Sequence, residues 1–377
     1  DNSSKIPKHL FGLQSCSLQL YTMKIHNFSA GPCILPETVL HEAAQAVSNF
    51  NGLGLSLVEI SHRSPDFVAV MEEARSLTKE LLNLPERFDV LFLQGGASLG
   101  FLTAAYNFLP EGGHAAYVDT GTWANKAVKE AKHLGGVDVI GSSKASNYDH
   151  IPVTSDVPQG SSYVHYTSNN TIFGTQFKNA PSTNVPLIAD MSSDIFSREF
   201  DATPYHLIYA GAQKNMGPAG TVMYAFDTEA AGKTGRNIPS YLDLQVHASK
   251  DSMFNTPSVF PVYVTMLTLR WIKAMGGVKA MEARNGEKAA LMYGEVDRNE
   301  LFEGHAALTS RSTMNATFRL KDDAHAAAFD AMWKEAGVSG IKGHRSVGGY
   351  RASMYNALPK ESVQILVEVM KELERKA

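Results

Sequence analysis

Short apolar segments alternate with longer amphipathic segments between about residue 36 and residue 275. The apolar segments predict buried strands, and the amphipathic ones repeat their apolar residues at helical spacing. The predicted strands are DVLFLQGGAS, HAAYVDTG, GSSYVHYTS, VPLIADMSS, HLIYAG and TVMYAFD. The predicted helices are PETVLHEAAQAV, SPDFVAVMEEARSLTKELLNL, LGFLTAAYNFL and WANKAVKEAKHLG. This alternation predicts an α/β domain over residues 36–275, with a mainly parallel sheet covered by helices on both faces.

The pattern changes after about residue 275, where amphipathic segments become longer and strands fewer. Helices are predicted in VKAMEARNGEKAALMYGEVDRN, DDAHAAAFDAMWKEAG and KESVQILVEVMKELERKA, and strands in MNATFRL and YRASMYN. The last helix places Val363, Leu366, Val367, Met370 and Leu373 on one face. Residues 276–377 are therefore predicted to form a smaller α+β domain.

Composition narrows the choice of partners and compartment. The chain of 377 residues has a net charge of −4, which offers no basic footprint for nucleic acid. No apolar run is long enough to span a bilayer. The two cysteines, Cys16 and Cys33, cannot form a disulfide framework, so we expect a reducing, cytoplasmic setting. Residues 1–22 precede Met23-Lys24, which resembles a second start, and we expect a leader that is non-native or serves targeting.

Polar residues follow each predicted strand, where ligands of open α/β sheets bind. Gly95-Gly96-Ala97-Ser98 joins a strand to a helix. It is either a tight turn or an anion cup, in which free N–H groups at the helix start face a phosphate. It is neither a G-x-G-x-x-G fingerprint nor a P-loop.

Three further strand-end residues each allow two interpretations. Trp123 is either a core residue or a ring that stacks on a heteroaromatic ligand. Asp190 is either a helix cap or the counter-ion of a protonated ring nitrogen, and Lys214 is either a surface cation or a Schiff-base nucleophile. Taken together with the glycine turn, they match pyridoxal phosphate: a phosphate, a flat pyridine ring, a ring nitrogen that stays protonated and an aldehyde.

Seven segments in order carry a family resemblance: NFSAGP, EISHRS, DTGTWANKA, ADMSSDI, YAGAQKNMGPAG, NTPSVFPVY and GHRSVGGYRASMYNA. Through them the chain resembles the phosphoserine aminotransferases, within the fold-type-I pyridoxal-phosphate transferases. The resemblance implies a large domain with a mainly parallel seven-stranded sheet and a smaller α+β C-terminal domain. Residues 23–35 would pack against the small domain. A homodimer with shared active sites is implied as well.

The resemblance also implies residue roles, and it implies no metal. Lys214 would form the Schiff base with the cofactor, Trp123 would stack on its ring and Asp190 would pair with the ring nitrogen. The other implied cofactor contacts are Thr171 at the ring hydroxyl, and Gly96, Ala97, Ser98, Gln213 and, from the neighbouring subunit, Asn255 and Thr256 at the phosphate. The implied substrate-binding residues are His62, Arg63, His344, Arg345 and Arg351, with Arg351 holding the α-carboxylate. In two places the chain departs from the usual family pattern: Ala97-Ser98 in the glycine turn, and Asn170 where an acid is common.

The implied reaction is a ping-pong transfer of an amino group from L-glutamate to 3-phosphohydroxypyruvate, which yields O-phospho-L-serine and 2-oxoglutarate. It belongs to serine biosynthesis, and family members also act on 3-hydroxy-4-phosphooxy-2-oxobutanoate in vitamin B6 synthesis. A cysteine desulfurase would need a mobile catalytic cysteine, which neither Cys16 nor Cys33 resembles. An alanine–glyoxylate-type aminotransferase would not need the His344-Arg345 cluster, and a regulatory pyridoxal-phosphate protein would be expected to lack Lys214 or to add a DNA-binding domain.

Overall fold

The computed structural model describes residues 25–377, so the expected leader and Cys16 lie outside the described residues. Its strands in chain order are β1 (His26–Asn27), β2 (Phe88–Leu93), β3 (His114–Asp119), β4 (Gly136–Ser142), β5 (Val164–Thr167), β6 (Asn169–Asn170), β7 (Thr175–Gln176), β8 (Leu187–Asp190), β9 (Tyr205–Gly211), β10 (Val222–Asp227), β11 (Phe302–Gly304), β12 (Asn315–Leu320), β13 (Val338–Ser339) and β14 (Tyr350–Ser353). Its helices are α1 (Glu37–Ser48), α2 (Pro65–Leu81), α3 (Gly96–Phe108), α4 (Thr122–Lys132), α5 (Leu244–Ala248), α6 (Val259–Ala274), α7 (Gly277–Arg298), α8 (Ala326–Glu335) and α9 (Lys360–Lys376).

A seven-stranded sheet organises the larger part of the chain, in the order β2-β10-β9-β8-β5-β3-β4. Strand β10 runs antiparallel to both of its neighbours, and the other four pairs are parallel. The expected α/β fold with a mainly parallel seven-stranded sheet is thereby confirmed. Because the strands from β9 to β4 are parallel, their carboxyl ends lie along one edge of the sheet.

Both faces of the inner strands of this sheet are buried, which explains why those strands are apolar throughout rather than alternating. Val164 and Tyr166 of β5 belong to a core shared with α1, α2 and α6. Tyr163, directly before β5, and Tyr117 of β3 belong to a second core, shared with α3 and α4. Neighbouring residues of a strand point to opposite faces. The sheet is therefore the middle layer of three.

Strand β4 of this sheet and helix α6, which packs on the sheet, were not predicted from the sequence. Strand β4 lies at the edge of the sheet and is mostly exposed, so its sequence GVDVIGS lacks a strong apolar signal. Helix α6 is apolar almost all round, because it packs against α1, α2 and the sheet, and it therefore lacks amphipathic periodicity. In the described part of the chain, no helix is both long and apolar enough to cross a membrane.

The C-terminal part has a core of its own. Strands β11, β12 and β14 form an antiparallel sheet against which α7, α8 and α9 pack. Strand β1 pairs in parallel with β13, and Phe28 is fully buried in this C-terminal core. The segment after Phe28 returns to the large sheet, where the N–H of Cys33 donates to the Gln213 carbonyl over 3.2 Å. The first described residues thus connect the two cores beside Lys214.

Candidate active site

Loops from the carboxyl ends of β3, β5, β8 and β9 meet at one edge of the large sheet, and the loop after β2 joins them. β2 reaches this edge because β10 lies antiparallel between β2 and β9, so β2 runs in the same direction as β9. The register pairs Asp190 with Tyr209, and Thr167 with Asp190. The sheet topology therefore places the strand-end residues predicted from the sequence around one region.

The glycine turn after β2 leads directly into α3. Gly95 and Gly96 have φ angles of 102° and 64°, in the left-handed region where glycine carries no steric penalty. No side chain caps α3, and a Cβ on Gly96 would have no atom within 4 Å. The first N–H groups of the helix, among them those of Ala97 and Ser98, therefore lie at an open surface suited to an anion.

Lys214 follows β9 and projects towards the hairpin formed by β6 and β7. Its Nζ donates a hydrogen bond to Thr171 Oγ1 over 2.7 Å. The pKa of Lys214 is lowered to about 8, mainly by burial; the charge of Asp190 opposes this shift and the charge of Arg351 adds to it. A nucleophilic amine must be neutral, and this environment brings that state within reach of neutral pH.

Asp190 ends β8 and is almost completely buried. Its Oδ1 accepts hydrogen bonds from the N–H and the hydroxyl of Ser192, over 2.9 and 2.6 Å. Burial raises the pKa of the Asp190 carboxyl, and the nearby charge of Lys214 acts in the opposite direction. Because both bonds go to Oδ1, the second carboxylate oxygen is left for another donor.

Trp123 lies in the first turn of α4, and its ring faces Lys214. The Lys214 Nζ is 5.7 Å from the centroid of the indole ring. The indole Nε1 is buried and has no hydrogen-bond partner in the described chain. The side chain of Asn170 donates to the Thr120 carbonyl just before α4, so the amide that replaces the common acid holds this loop against β6. These four residues, Lys214, Thr171, Asp190 and Trp123, are called the lysine cluster below.

Arg351, on β14, extends from the C-terminal part into the lysine cluster. Its Nη1 donates to the Thr171 carbonyl over 3.1 Å, while its Nε is buried without a partner among residues 25–377. Burial lowers the pKa of this guanidinium. A half-satisfied, desolvated guanidinium is the arrangement expected of a group that receives a carboxylate.

A basic turn, residues 344–348, precedes Arg351 and closes on itself through bonds from the N–H groups of Val347 and Gly348 to the His344 carbonyl. The Ser346 N–H and hydroxyl both lie within hydrogen-bonding distance of His344 Nδ1, at 3.2 and 2.7 Å. Burial, followed by the charges of Arg351, Arg345 and Lys126, lowers the pKa of His344. Cations thus gather at this turn.

Four predicted residues make no hydrogen bond or ion pair to the lysine cluster within the described residues. His62 and Arg63 precede α2, and no hydrogen bond or ion pair joins either side chain to Lys214, Arg351 or the basic turn in the described residues. Asn255 and Thr256 lie beside the glycine turn, where Gln94 Nε2 donates to the Thr256 carbonyl over 2.7 Å. The role of Asn255 and Thr256 at the cofactor phosphate of a second subunit stays a prediction, as does substrate binding by His62 and Arg63.

Several residues that support Lys214 were missed from the sequence. The thiol of Cys33 donates to the Lys214 carbonyl over 2.6 Å, and burial raises the pKa of this thiol to about 12. Asn215 Oδ1 accepts from the N–H of Asn356 over 3.1 Å. Asn215 could have been noticed in the sequence, because it is adjacent to Lys214. Cys33 and Asn356 are distant from Lys214 in the chain, so nothing in the sequence indicated their role. A thiol with a raised pKa is a poor nucleophile, which also weighs against a desulfurase.

Comparison with known proteins identifies the family. The model of the class-V aminotransferases matches residues 25–366. The phosphoserine aminotransferase of Flavobacterium psychrophilum is 61% identical over 94% of this chain and 100% of its own length.

Solved structures agree with this assignment. The phosphoserine aminotransferase from Bacillus circulans subsp. alkalophilus is 42% identical, with a TM-score of 0.90 over 94% of this chain and 99% of that chain. The phosphoserine aminotransferase from Trichomonas vaginalis, solved with pyridoxal phosphate bound, is 35% identical, with a TM-score of 0.88 over 92% of this chain and 100% of that chain. The chain is therefore an aminotransferase that belongs to the phosphoserine aminotransferase family, within class V.

Proposed function

We propose that this chain binds pyridoxal phosphate and transfers the amino group of L-glutamate to 3-phosphohydroxypyruvate, forming O-phospho-L-serine and 2-oxoglutarate. The observation that carries the proposal is the setting of Lys214. Its amine bonds to Thr171, faces Trp123 and has a pKa lowered to about 8. The family relationship supports the identity of the substrates.

The residues present fit each part of the cofactor. The uncapped start of α3 suits its phosphate, and Gln213 is assigned to the same phosphate. The indole of Trp123 offers a flat surface for its ring, and the free oxygen of Asp190 suits the protonated ring nitrogen. A ring cation would also offset the burial that raises the pKa of Asp190.

The cofactor supplies an electron sink that stabilises a carbanion at the substrate Cα. Lys214 is assigned two tasks: it holds the aldehyde carbon between turnovers, and its freed amine then moves a proton away from the substrate Cα. With a pKa of about 8, about a tenth of the Lys214 amines are neutral at pH 7. Thr171 orients the amine through its hydroxyl.

Substrate binding is assigned to the cations that surround this centre. Arg351 holds the α-carboxylate that both amino donor and acceptor carry, because its fork has a free Nε beside Thr171. His344 and Arg345 bind the group at the far end, a γ-carboxylate in one half-reaction and a phosphate in the other. One basic pocket can serve both, since both groups are anions on short chains.

A cytoplasmic homodimer with shared active sites is part of the proposal. Asn255 and Thr256 of one subunit would reach the cofactor phosphate of the other, and His62 and Arg63 would complete the substrate pocket. The unpartnered, buried Nε2 of His62 supports a ligand-binding role. The free thiol of Cys33 is compatible with a reducing compartment.

The test is an assay of 2-oxoglutarate released from L-glutamate and 3-phosphohydroxypyruvate by the pyridoxal-phosphate-loaded protein. We expect turnover with the phosphorylated acceptor, and much weaker turnover with a 2-oxo acid that lacks the phosphate. Lys214→Ala should abolish turnover and the absorbance of the cofactor Schiff base. Equal activity with a non-phosphorylated acceptor would contradict the substrate assignment, and an unchanged Lys214→Ala would contradict the assignment of the lysine.

A further inference from the structure

Lys126 lies beside the predicted site, within the segment DTGTWANKA, but no role was assigned to it from the sequence. It follows Trp123 by three residues on α4, a spacing that puts both side chains on one face of the helix. Its Nζ is 4.5 Å from the centroid of the Trp123 ring. Because the Lys214 Nζ lies 5.7 Å from the same centroid, the indole is in contact with two amines.

The basic turn lies on the same side of the molecule as Lys126. Val347 of that turn and Trp123 both pack against the small apolar cluster of Tyr148, Ile172 and Phe173. The charge of Lys126 is also one of the charges that lower the pKa of His344. Lys126 therefore joins Arg351 and Arg345 as a third cation near His344.

The positive charge of Lys126 is not neutralised by any carboxylate in the described part of the chain. Among residues 25–377, no carboxylate lies within 4.0 Å of its amine. Its side chain is exposed, so it can turn towards a bound anion at little cost. The buried indole N–H of Trp123, which has no hydrogen-bond partner among the described residues, is a further donor at this position.

We propose that Lys126 is a specificity-determining residue that binds the phosphate of the phosphorylated substrate together with His344 and Arg345. This inference rests on the proposed function and adds to it the discrimination between the two half-reactions. A phosphate monoester carries a charge of about −1.5 to −2 at pH 7, whereas the γ-carboxylate of glutamate carries a single charge. An additional cation therefore stabilises the bound phosphate about twice as strongly as the bound carboxylate at the same distance.

The test compares Lys126→Met with wild type in the pyridoxal-phosphate-loaded enzyme. We expect the KM for 3-phosphohydroxypyruvate and for O-phospho-L-serine to rise about fivefold, as for loss of a partly exposed ion pair, and the KM for L-glutamate to rise only about twofold. The absorbance of the cofactor and kcat should stay close to wild type. Lys126→Arg should restore most of the lost affinity.

Lys129→Met is the matched control, because Lys129 is an exposed lysine on the same helix that makes no contact with Trp123. It should leave both KM values unchanged. Equal increases for both substrates, no increase for either, or the same increase in Lys129→Met would overturn the inference. A wild-type enzyme that fails to use 3-phosphohydroxypyruvate would instead contradict the proposed function, so the two failures are distinguishable.

Discussion

Around Lys214 the polar groups are buried and bonded to one another, whereas at the basic turn they are exposed and linked mainly by charge. Thr171 and Asp190 each retain about 4% of their surface, and each accepts a short bond from a neighbouring side chain. At the basic turn, Arg345 is exposed, and the ring of His344 bonds only to Ser346 among the described residues. Burial makes the first region rigid and shifts its pKa values, while exposure leaves the second adaptable and screened by solvent.

The difference matches what the two regions are proposed to do. A single cofactor with fixed geometry needs a pre-organised site, since misplacement of reacting groups is costly. A pocket that accepts a carboxylate in one half-reaction and a phosphate in the other needs charge more than fixed geometry. Substitutions in the lysine cluster should therefore change kcat, and substitutions at the basic turn should change KM.

Asp190→Asn should have the largest effect among the following substitutions. The amide cannot keep the ring nitrogen protonated, so we expect kcat to fall about 10²- to 10³-fold, comparable to removal of one fixed electrostatic group. The measurement is kcat for the reaction of glutamate with 3-phosphohydroxypyruvate, with cofactor content checked by absorbance. Asp201→Asn, at an exposed position, is the control and should retain wild-type kcat. A fall in KM alone, with kcat preserved, would mean that Asp190 does not act on the ring.

Arg351→Lys should follow in size and should affect both substrates alike. The charge remains but the planar fork is lost, so we expect the KM for glutamate and for 3-phosphohydroxypyruvate to rise about tenfold or more. Steady-state kinetics with each substrate varied in turn provide the measurement. The exposed Arg319 on the adjacent strand β12 offers Arg319→Lys as a control. A rise in KM confined to the phosphorylated substrate would indicate that Arg351 binds the phosphate and not the α-carboxylate.

The lowered pKa of Lys214 predicts how the cofactor-free protein reacts with pyridoxal phosphate. Only the neutral amine attacks the aldehyde, so the rate should fall about tenfold for each pH unit below 8 and level off above it. Stopped-flow absorbance of Schiff-base formation measures this rate. Arg351→Gln removes a charge that lowers the pKa of Lys214, so the midpoint should move to higher pH. If the pH midpoint of this rate in the wild type lay near the pKa of an exposed lysine, the proposed environment of Lys214 would be disproved.

His344→Gln should have the smallest effect. The pKa of His344 is lowered by burial and by three neighbouring cations, so the ring is mostly neutral at pH 7 and contributes mainly a hydrogen bond. We expect the KM for 3-phosphohydroxypyruvate to rise about two- to threefold at low ionic strength. In 0.5 to 1 M salt, the wild-type KM for 3-phosphohydroxypyruvate should rise more than it does with the substitution at low salt, because salt screens exposed charges. A change in kcat of tenfold would place His344 in the chemical step instead.

The two regions also differ in how far the sequence predicted them. The strand-end residues Asp190, Trp123 and Lys214 each follow a strongly apolar strand, so local pattern alone placed them at one edge of the sheet. The glycine turn before α3 was found in the same way. By contrast, Lys126 has no distinguishing local pattern, and its importance comes from the basic turn more than 200 residues later.

The elements of the fold that the sequence analysis did not predict also lack a distinguishing local pattern. Edge strand β4 and the uniformly apolar helix α6 lack the periodic contrast on which sequence prediction depends, because neither has one buried and one exposed face of the usual kind. The segment around Cys33 carried no signal that it would contact Lys214. Such contacts join residues far apart in the chain, and local pattern contains no information about them.

The amino-acid sequence by itself determined the alternation of strands and helices, the mainly parallel sheet and the identity of the residues at its edge. It did so because hydrophobic periodicity and turn residues act over a few positions. Only the tertiary structure decided that Lys214 is desolvated, that Arg351 reaches Thr171 from the C-terminal part, and that Lys126 lies near the basic turn. Desolvation and Coulomb energies depend on which distant groups surround a side chain, and folding alone brings those groups together.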